Sequence, residues 1–572
     1  MRHVSGAIAL IIILASSLAA APGSVTVGSP KNPGALAGAL VDAYKDGASA
    51  ITITPGVYVL PSTGHSALEL HGWHDVILRA YGVTLIITDL TWDHNVFDLR
   101  DCVNVTVQGP TLSQNKVTAY QGRVIGVGTA DDGKATCDFK PDAGYPVPPA
   151  VAEGAKGGFL GGDVNVVDQK TRKLKLGCGD FYGVPGEDLG NGTFRVYFDR
   201  KTLPFGVGDW LVGRYGDAPF KVYLGNCRDC TIKDVTLMRN GFAPIREDGG
   251  GGNHYLHCRW ALGPRPGTAT EEPLVTNAAD GMHMIGSFPG PDIEDCVFEG
   301  VFLDDCIAIH GGFTPIKSVS GRALTLEKDG GLVVGQPARI SNEKGFFGEA
   351  TVTALKDNGD KTWTVTLDRD LGVSAEAKVS NPRRNGAGYK IMGCRLSGTR
   401  SRGVLIKADN GVIQNNVVDG CGQAAISLGP EYYWNEADYV RNTVISGNTF
   451  RENGKAAYGG AAILIHGDGA MGNANLTLRD NRFVSNYQGD VEAAWIDGLV
   501  IASNTLTGAA VWPSFLDKHS PVALSHCRNV TLRGNVVKNA ASYKPEVVAV
   551  GKDVSGMTGN GFEGLKTPRI RS

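Results

Sequence analysis

One degenerate unit recurs through the C-terminal part of the chain, and it limits the possible folds more than any other feature. An alternating apolar run reaches a turn residue and then a step of Asn, one variable residue and an apolar residue. The unit reads VIQNNVV at 412–418, VISGNTF at 444–450, LTLRDNRF at 476–483, LVIASNTL at 499–506 and VTLRGNVV at 530–537. The equivalent residues Asn416, Asn448, Asn481, Asn504 and Asn535 stand 32, 33, 23 and 31 positions apart. Self-similarity at such a period marks a solenoid, and alternation with period two makes its unit a strand. One coil cannot bury its apolar face alone, so coils stack and share a core. The expected fold is all-β, a right-handed parallel β-helix. Asn at a recurring turn suits both a positive φ and side-chain bonds to the backbone.

The rest of the chain fits this frame. Residues 32–48 read as a short amphipathic helix with Leu36, Leu40, Val41 and Tyr44 near one face, placed to cover the edge of the first coil. Two stretches break the repeat. One carries GRVIGVG, DVNVVDQKTRKLKLG and TFRVYFDR, and the other carries GRALTLE and EATVTALKDNGDKTWTVTLDRDL. Both read as antiparallel hairpins inserted as small β-barrels. The expected division is a signal peptide at 1–21, β-helix at 22–113, a barrel insertion at 114–220, β-helix at 221–313, a second barrel at 314–383 and β-helix at 384–572.

Composition excludes several classes. The 78 glycines follow no G-X-Y period, so they indicate turns and not collagen. A net charge of −3 leaves no basic footprint for nucleic acid. Arg2 and His3, an apolar run from Ala7 and small residues at Ala19–Ala21 form an export signal. No second apolar run of spanning length follows, so the expectation is a secreted or periplasmic protein with no membrane span in the mature chain. Among 11 cysteines, Cys227 and Cys230 form a lone C-x-x-C with no partner pair at zinc-site spacing. Cys102, Cys230, Cys258, Cys296, Cys394 and Cys527 each precede an alternating run, as small buried residues at one coil position would.

The chemistry concentrates in NAADGMHMIGSFPGPDIEDCVFEGVFLDDCIAIHG, residues 277–311. Asp280 precedes Asp304 by 24 residues, about one coil, so the two should stack on adjacent turns about 4.8 Å apart. Asp305 follows directly, and His283 and His310 lie close by in sequence. Like charges that close raise a pKa and suit a general acid. Sugar hydrolysis needs one carboxyl to protonate the leaving oxygen and another to activate water. Glu247 and Asp248 precede four glycines, which fit either a flexible turn or a close backbone approach to a sugar. No Lys-Ser/Thr follows, so this is no P-loop. Glu431, Tyr433 and Trp434 stand in the aromatic stretch EYYWNE, suited to sugar stacking or to ordinary packing. Lys407 could reach a substrate hydroxyl.

REDGGGGNHYLHCRWALGPRPG, NAADGMH, FLDDCIAIHGG, SRGVLI and AAISLGPEYYWNEA, in that order, resemble glycoside hydrolase family 110. The resemblance implies an exo-acting, inverting α-galactosidase on a β-helix with barrel insertions. It implies a glycan with terminal α-1,3-linked galactose as substrate, Asp280, Asp304 and Asp305 as the catalytic aspartates, and no cofactor or metal. DDCIAI and the DG of AADGMH also resemble family 28 polygalacturonases, which use three aspartates on the same fold. Their G-H-G motif is missing here and their R-I-K motif survives only as Leu405-Ile406-Lys407. By analogy with that family, Asp304 is the general acid and Asp280 with Asp305 hold the water. A non-catalytic, carbohydrate-binding β-helix is the alternative from another class.

Overall fold

The computed structural model describes residues 23–148, 163–508 and 520–538, apart from 180, 183, 216–218 and 457–459, and parts of 548–571. The signal-peptide reading of 1–21 lies outside the described residues. No helix among those described is long and apolar enough to cross a membrane.

A strand at Ser24–Val27 precedes the helix. The helix spans Leu36–Lys45 and buries Leu36, Leu40 and Ala43 on the first coil. Its Tyr44 ring stacks on Trp73 at 4.2 Å. Parallel strands then wind into coils. On one face the inward residues Ile245, Met282, Ile307, Val404, Ile426, Ile463, Val491 and Val522 pair in register from coil to coil. On another, Leu237, Trp260, Phe298, Leu396, Val418, Phe450, Phe483 and Leu506 do the same. Buried strands pair in parallel because each coil re-enters in the same direction. The result is the parallel β-helix that the repeat implies.

The repeat's Asn residues differ from expectation in one respect. The positive φ belongs to the residue before each: Asn415, Gly447, Asp480, Ser503 and Gly534. That left-handed turn aims the following Asn side chain inward. Asn416, Asn448, Asn481, Asn504 and Asn535 are buried and form a continuous ladder. From Asn448 onward each Oδ1 accepts from the backbone and side-chain N–H of the previous Asn, at 2.9–3.0 Å for Asn448 and Asn481. Each Nδ2 donates to a carbonyl of the coil before, as Asn481 does to Ile445 at 2.9 Å. All 11 cysteines are unpaired. Those at the repeated position stack inside, with Cys258, Cys296 and Cys527 each directing Sγ–H to a carbonyl one coil away.

Two antiparallel units interrupt the coils. The first has seven strands between Ala119 and Arg214, in an open order with no closing pair among the described residues. The second closes as a six-stranded barrel, from Thr314–Ser320 to Lys378–Ser380. Arg339 of this barrel is buried and docks it onto the coils. It reaches Asp409 at 2.7 Å, Asp438 at 3.3 Å and Glu349 at 2.8 Å. Three carboxylates around one guanidinium compensate its desolvation.

The ladder generates a stability prediction. Asn481→Ala strands the Asn448 amide hydrogens and the Ile445 carbonyl. It should cost about 2–4 kcal/mol, since each buried unpaired group costs about 1–3 kcal/mol. Denaturant melts check this, and a loss under about 0.5 kcal/mol, the range of a neutral surface change, would show that the ladder does not hold the coils.

Candidate active site

The site follows from coil stacking. Gly281 N–H donates to Asp305 O at 2.8 Å, and Cys306 N–H donates to Arg402 O at 3.1 Å. These bonds place residues 280, 305 and 402 at one corner of three successive coils. Although 97 residues separate Asp305 from Arg402, the barrel between them accounts for most of that length. A cavity of about 330 Å³ opens at this corner, lined by Asp280, His283, Asp304, Asp305, Arg400, Arg402, Glu431, Trp434 and Glu436 among others.

One backbone amide gathers the three aspartates. Asp305 N–H is shared between Asp280 Oδ1 at 3.2 Å and Asp304 Oδ1 at 3.1 Å. One oxygen from each carboxyl lies within 4.8 Å of the others. That spacing is also compatible with a hard cation, but here Arg400 and Arg402 supply the positive charge.

The three carboxyls face different surroundings. Burial alone would raise the pKa of Asp305, but the charge and hydrogen bonds of Arg402 outweigh it and hold Asp305 below the usual range. Arg402 Nε donates to Oδ1 at 2.9 Å, Nη2 to Oδ2 at 2.7 Å, and the Arg402 backbone N–H to Oδ1 at 2.8 Å. Desolvation on the pocket floor raises Asp304 to about 7; Arg400, 3.3 Å away, opposes the shift, and Asp280 and Asp305 add to it. The Asp304 side chain is 37% exposed, against 2% for Asp305 and 12% for Asp280. Burial, then Asp305 and Glu436, raise Asp280 to about 8.

The protonation of Asp280 also follows from its hydrogen bonds. His310 Nδ1 faces Gly311 O at 2.7 Å, and a carbonyl only accepts, so that nitrogen carries the proton. Burial lowers His310 to about 3 and His283 to about 4, so both rings are neutral at pH 7. His310 Nε2 is then an acceptor, and His283 Nε2–H donates to it at 2.8 Å. That leaves a lone pair on His283 Nδ1, facing Asp280 Oδ2 at 2.6 Å. The contact requires a proton, which Asp280 supplies. The cluster therefore holds Asp305 ionised and Asp280 protonated, with Asp304, at about 7, placed to give up its proton near neutral pH.

Several expected residues have other places. Glu247 points into the coil interior, fully buried, where Tyr255 OH donates to it at 2.6 Å. It cannot bind substrate, because strand alternation turns Ile245 and Glu247 inward and Arg246 and Asp248 outward. Asp248 pairs with Arg246 at 2.8 Å and borders a separate cavity of about 290 Å³. Three of the four glycines are a packing device: a Cβ on Gly250 would lie 1.9 Å from Cys227 O, one on Gly251 2.3 Å from Phe288 C and one on Gly252 2.5 Å from Asp229 Oδ1, whereas one on Gly249 would meet nothing within 4 Å. Lys407 is buried without access to a substrate, and Nζ bridges Glu431 at 2.7 Å and Glu436 at 2.6 Å. His310 sits behind His283. Trp434 borders the cavity, 62% exposed, whereas Tyr433 is 84% exposed and packs edge-on against Trp434.

Arg400, Arg402 and Glu436 are components that sequence reasoning missed. Arg402 lies inside SRGVLI, but only coil register puts it beside Asp305. With it a circuit surrounds the cavity: Asp305, Arg402, Glu431, Lys407, Glu436, His310, His283 and Asp280. The stretch carrying Glu431, Trp434 and Glu436 is clamped by the barrel. Tyr432 OH donates to Ser341 Oγ at 2.6 Å, and its ring stacks on Phe313 at 4.6 Å.

A family model described as a protein of unknown function (DUF1565) matches residues 325–510. Alpha-1,3-galactosidase A of Shewanella woodyi is 22% identical over 281 residues, covering 46% of this chain and 45% of the relative. Alpha-1,3-galactosidase B of Bacteroides thetaiotaomicron is 24% identical over 291 residues, covering 46% of each. The chain thus spans about half the length of the curated relatives it matches. Among solved structures, a GH87 alpha-1,3-glucanase catalytic unit from Streptomyces thermodiastaticus aligns with a TM-score of 0.41 and 10% identity, covering 96% of this chain and 71% of that one. PfbA, a surface adhesin of Streptococcus pneumoniae, aligns with a TM-score of 0.42 and 10% identity, covering 96% and 93%.

Nitrogen NMR at neutral pH should find the proton on Nδ1 of His310 and on Nε2 of His283. Asp280→Asn should leave both tautomers in place, because the Asn amide donates to His283 Nδ1 as the carboxyl does. An imidazolium signal from His283 in the unmodified protein would mean that Asp280 is ionised.

Proposed function

We propose that this chain is a secreted glycoside hydrolase that removes terminal α-linked galactose, of the α-1,3 linkage, from glycans with inversion of configuration. The observation that carries the reading is three carboxyls around one cavity, held in different protonation states by Arg400, Arg402 and His283. A non-catalytic solenoid has no need of such a division. The similarity to two alpha-1,3-galactosidases supports the sugar and the linkage.

Asp304 is the general acid: its pKa of about 7 lets it carry a proton at and below neutral pH, and it is the most open of the three. Asp305 is the base that takes the proton from water, and neutral Asp280 holds that water in place. Inversion is supported by which oxygens are engaged, and not by carboxyl spacing, since one oxygen of each aspartate lies within 4.8 Å of the others and the usual inverting pair stands roughly 6.5–9.5 Å apart. Both Asp305 oxygens accept from Arg402, and both Asp280 oxygens are in hydrogen bonds. Neither is poised to bond the anomeric carbon, so water is the nucleophile. Arg402 and Lys407 are already committed to carboxylates, so neither is free to pair with the carboxylate of a uronate.

Activity against nitrophenyl α-galactoside, B-type oligosaccharides and polygalacturonate tests the substrate. Only the galactosides should be cleaved; shortening of polygalacturonate from within would favour the polygalacturonase reading. NMR of the first-formed product should show β-galactose, and early α-galactose means retention. Asp304→Asn should cost about 10²–10⁴-fold on natural disaccharides and far less on substrates with good leaving groups. If Asp305→Asn gives that pattern instead, the two roles are exchanged.

The arginines set opposite limbs of the pH profile. Arg400 lowers the pKa of Asp304, so Arg400→Ala raises it and should move the basic limb, near pH 7 in the unmodified protein, to higher pH. Arg402→Lys loses the two-pronged contact, so the pKa of Asp305 rises and the acidic limb should move up. A basic limb that stays in place on Arg400→Ala would remove Asp304 as the acid.

A further inference from the structure

We propose that Trp92, Tyr223 and Phe242, packed on the buried Phe220, form an aromatic floor that binds the sugar rings of the glycan beyond the terminal galactose, on the leaving-group side. This rests on the hydrolase reading above and extends it to the part of the substrate that the enzyme does not split.

The position of the floor carries the inference. Tyr223, Arg246, His283 and Ala308 pair in register on successive coils, and all four occupy outward positions of their strands. His283 and Ala308 line the catalytic cavity. Tyr223 therefore lies on the same row two coils away, about 10 Å at the usual strand spacing. Phe242 is closer still. Asn277 Nδ2 donates to Phe242 O at 3.2 Å and to Asp280 O at 2.5 Å, so Phe242 stands on the coil next to Asp280. The floor begins one coil from the chemistry and runs toward the N-terminal end of the helix. A pyranose ring is about as wide as one coil step.

Trp92 is exposed and Tyr223 and Phe242 are half-buried, while Phe220 is buried and supports them. Trp92 meets Phe220 and Phe242 edge-on, each at 5.0 Å, and remains 47% exposed. Phe220 and Tyr223 lie nearly parallel at 5.7 Å. None of the four packs in the coil core, whose own aromatics such as Trp260 and Tyr255 are fully buried. Charged groups fringe the patch: Arg214 lies over Phe242 at 5.0 Å and Arg100 over Tyr223 at 4.8 Å. Apolar ring faces bordered by hydrogen-bonding groups match the C–H faces and hydroxyl rims of a sugar.

The opposite end of the cavity decides the direction. There Glu431, Trp434 and Glu436 stand on the stretch clamped by the barrel, with Lys407 between the two glutamates. A terminal galactose held against that wall must pass the rest of its chain toward Phe242. The neighbouring cavity of about 290 Å³ is lined by Asp248, Lys328, Asp329 and Arg384 among others, with no aromatic ring.

The test compares substrate length in the full chain. Methyl α-galactoside touches the terminal site alone, and a galactosylated tetrasaccharide crosses the floor. Trp92→Ala should lower kcat/KM on the tetrasaccharide roughly 10-fold, mainly through KM, the scale of a lost aromatic contact. It should leave methyl α-galactoside unchanged, and Trp92→Tyr should restore most of the loss. Phe242→Ala should follow the same pattern. Equal losses on both substrates, or no loss on either, overturn the floor while the hydrolase reading stands. If the unmodified protein cleaves no α-galactoside, the hydrolase reading fails. Calorimetry with the tetrasaccharide then decides for the floor: weaker binding by Trp92→Ala supports it, and equal binding or none overturns it.

Discussion

The step between successive coils is the constraint on which everything else depends. Backbone hydrogen bonds between parallel strands fix that step at about 4.8 Å, and the buried Asn ladder and cysteine stack repeat it inside. Any residue at one corner of a coil therefore faces its counterparts directly above and below. Asp280, Asp305 and Arg402 meet for that reason alone. Like-charged carboxyls at this distance cannot all ionise. The stack thus forces a division of protons and leaves the surrounding side chains to decide which carboxyl keeps its charge.

Those side chains make the division asymmetric. Arg402 grips Asp305 with two nitrogens, a geometry that Lys cannot reproduce. Arg400 makes a single, longer contact with Asp304. His283 takes the proton of Asp280 into a hydrogen bond whose direction is set by one carbonyl, Gly311 O, two rings away. Buried charges of this kind are expensive unless each is paired, and the circuit pairs Arg402 with Asp305 and Glu431, and Lys407 with Glu431 and Glu436.

The second barrel contributes through this circuit. The stretch that supplies Glu431, Trp434 and Glu436 joins the coils where Glu436 and Ala437 run antiparallel to Gly311 and Gly312. It is held through Tyr432, Phe313 and Ser341, while the ion cluster of Arg339 fixes the coil edge beside it. The insertion thus acts as a buttress for one wall of the cavity. The glycine run before Asn253 is a buttress of another kind, since its missing side chains let three coils approach closely. The pressure on those positions comes from packing, although the motif lies in the stretch that resembles a sugar-hydrolase family.

The sequence by itself determined the coil architecture, the presence of antiparallel units within it and the clustering of the three aspartates. Each of these is written in local order: period-two alternation, a recurring Asn step, and a spacing of one coil between Asp280 and Asp304. It also identified the buried cysteine position, because a small apolar residue there repeats in the same local way. Alternation held the orientation of Glu247 as well, since Ile245 and Glu247 share a face, but the charge of the residue argued the other way. What only the tertiary structure decided is the partner of each aspartate. Arg402 lies 97 residues from Asp305 across a barrel, and Phe242 reaches the same corner from an earlier coil. The left-handed residue before each ladder Asn, and the inward aim that it gives the side chain, were also invisible, because Asn serves equally well in either position. Coil register joins residues by height along the helix and not by distance along the chain, and variable insertions erase that height from the sequence.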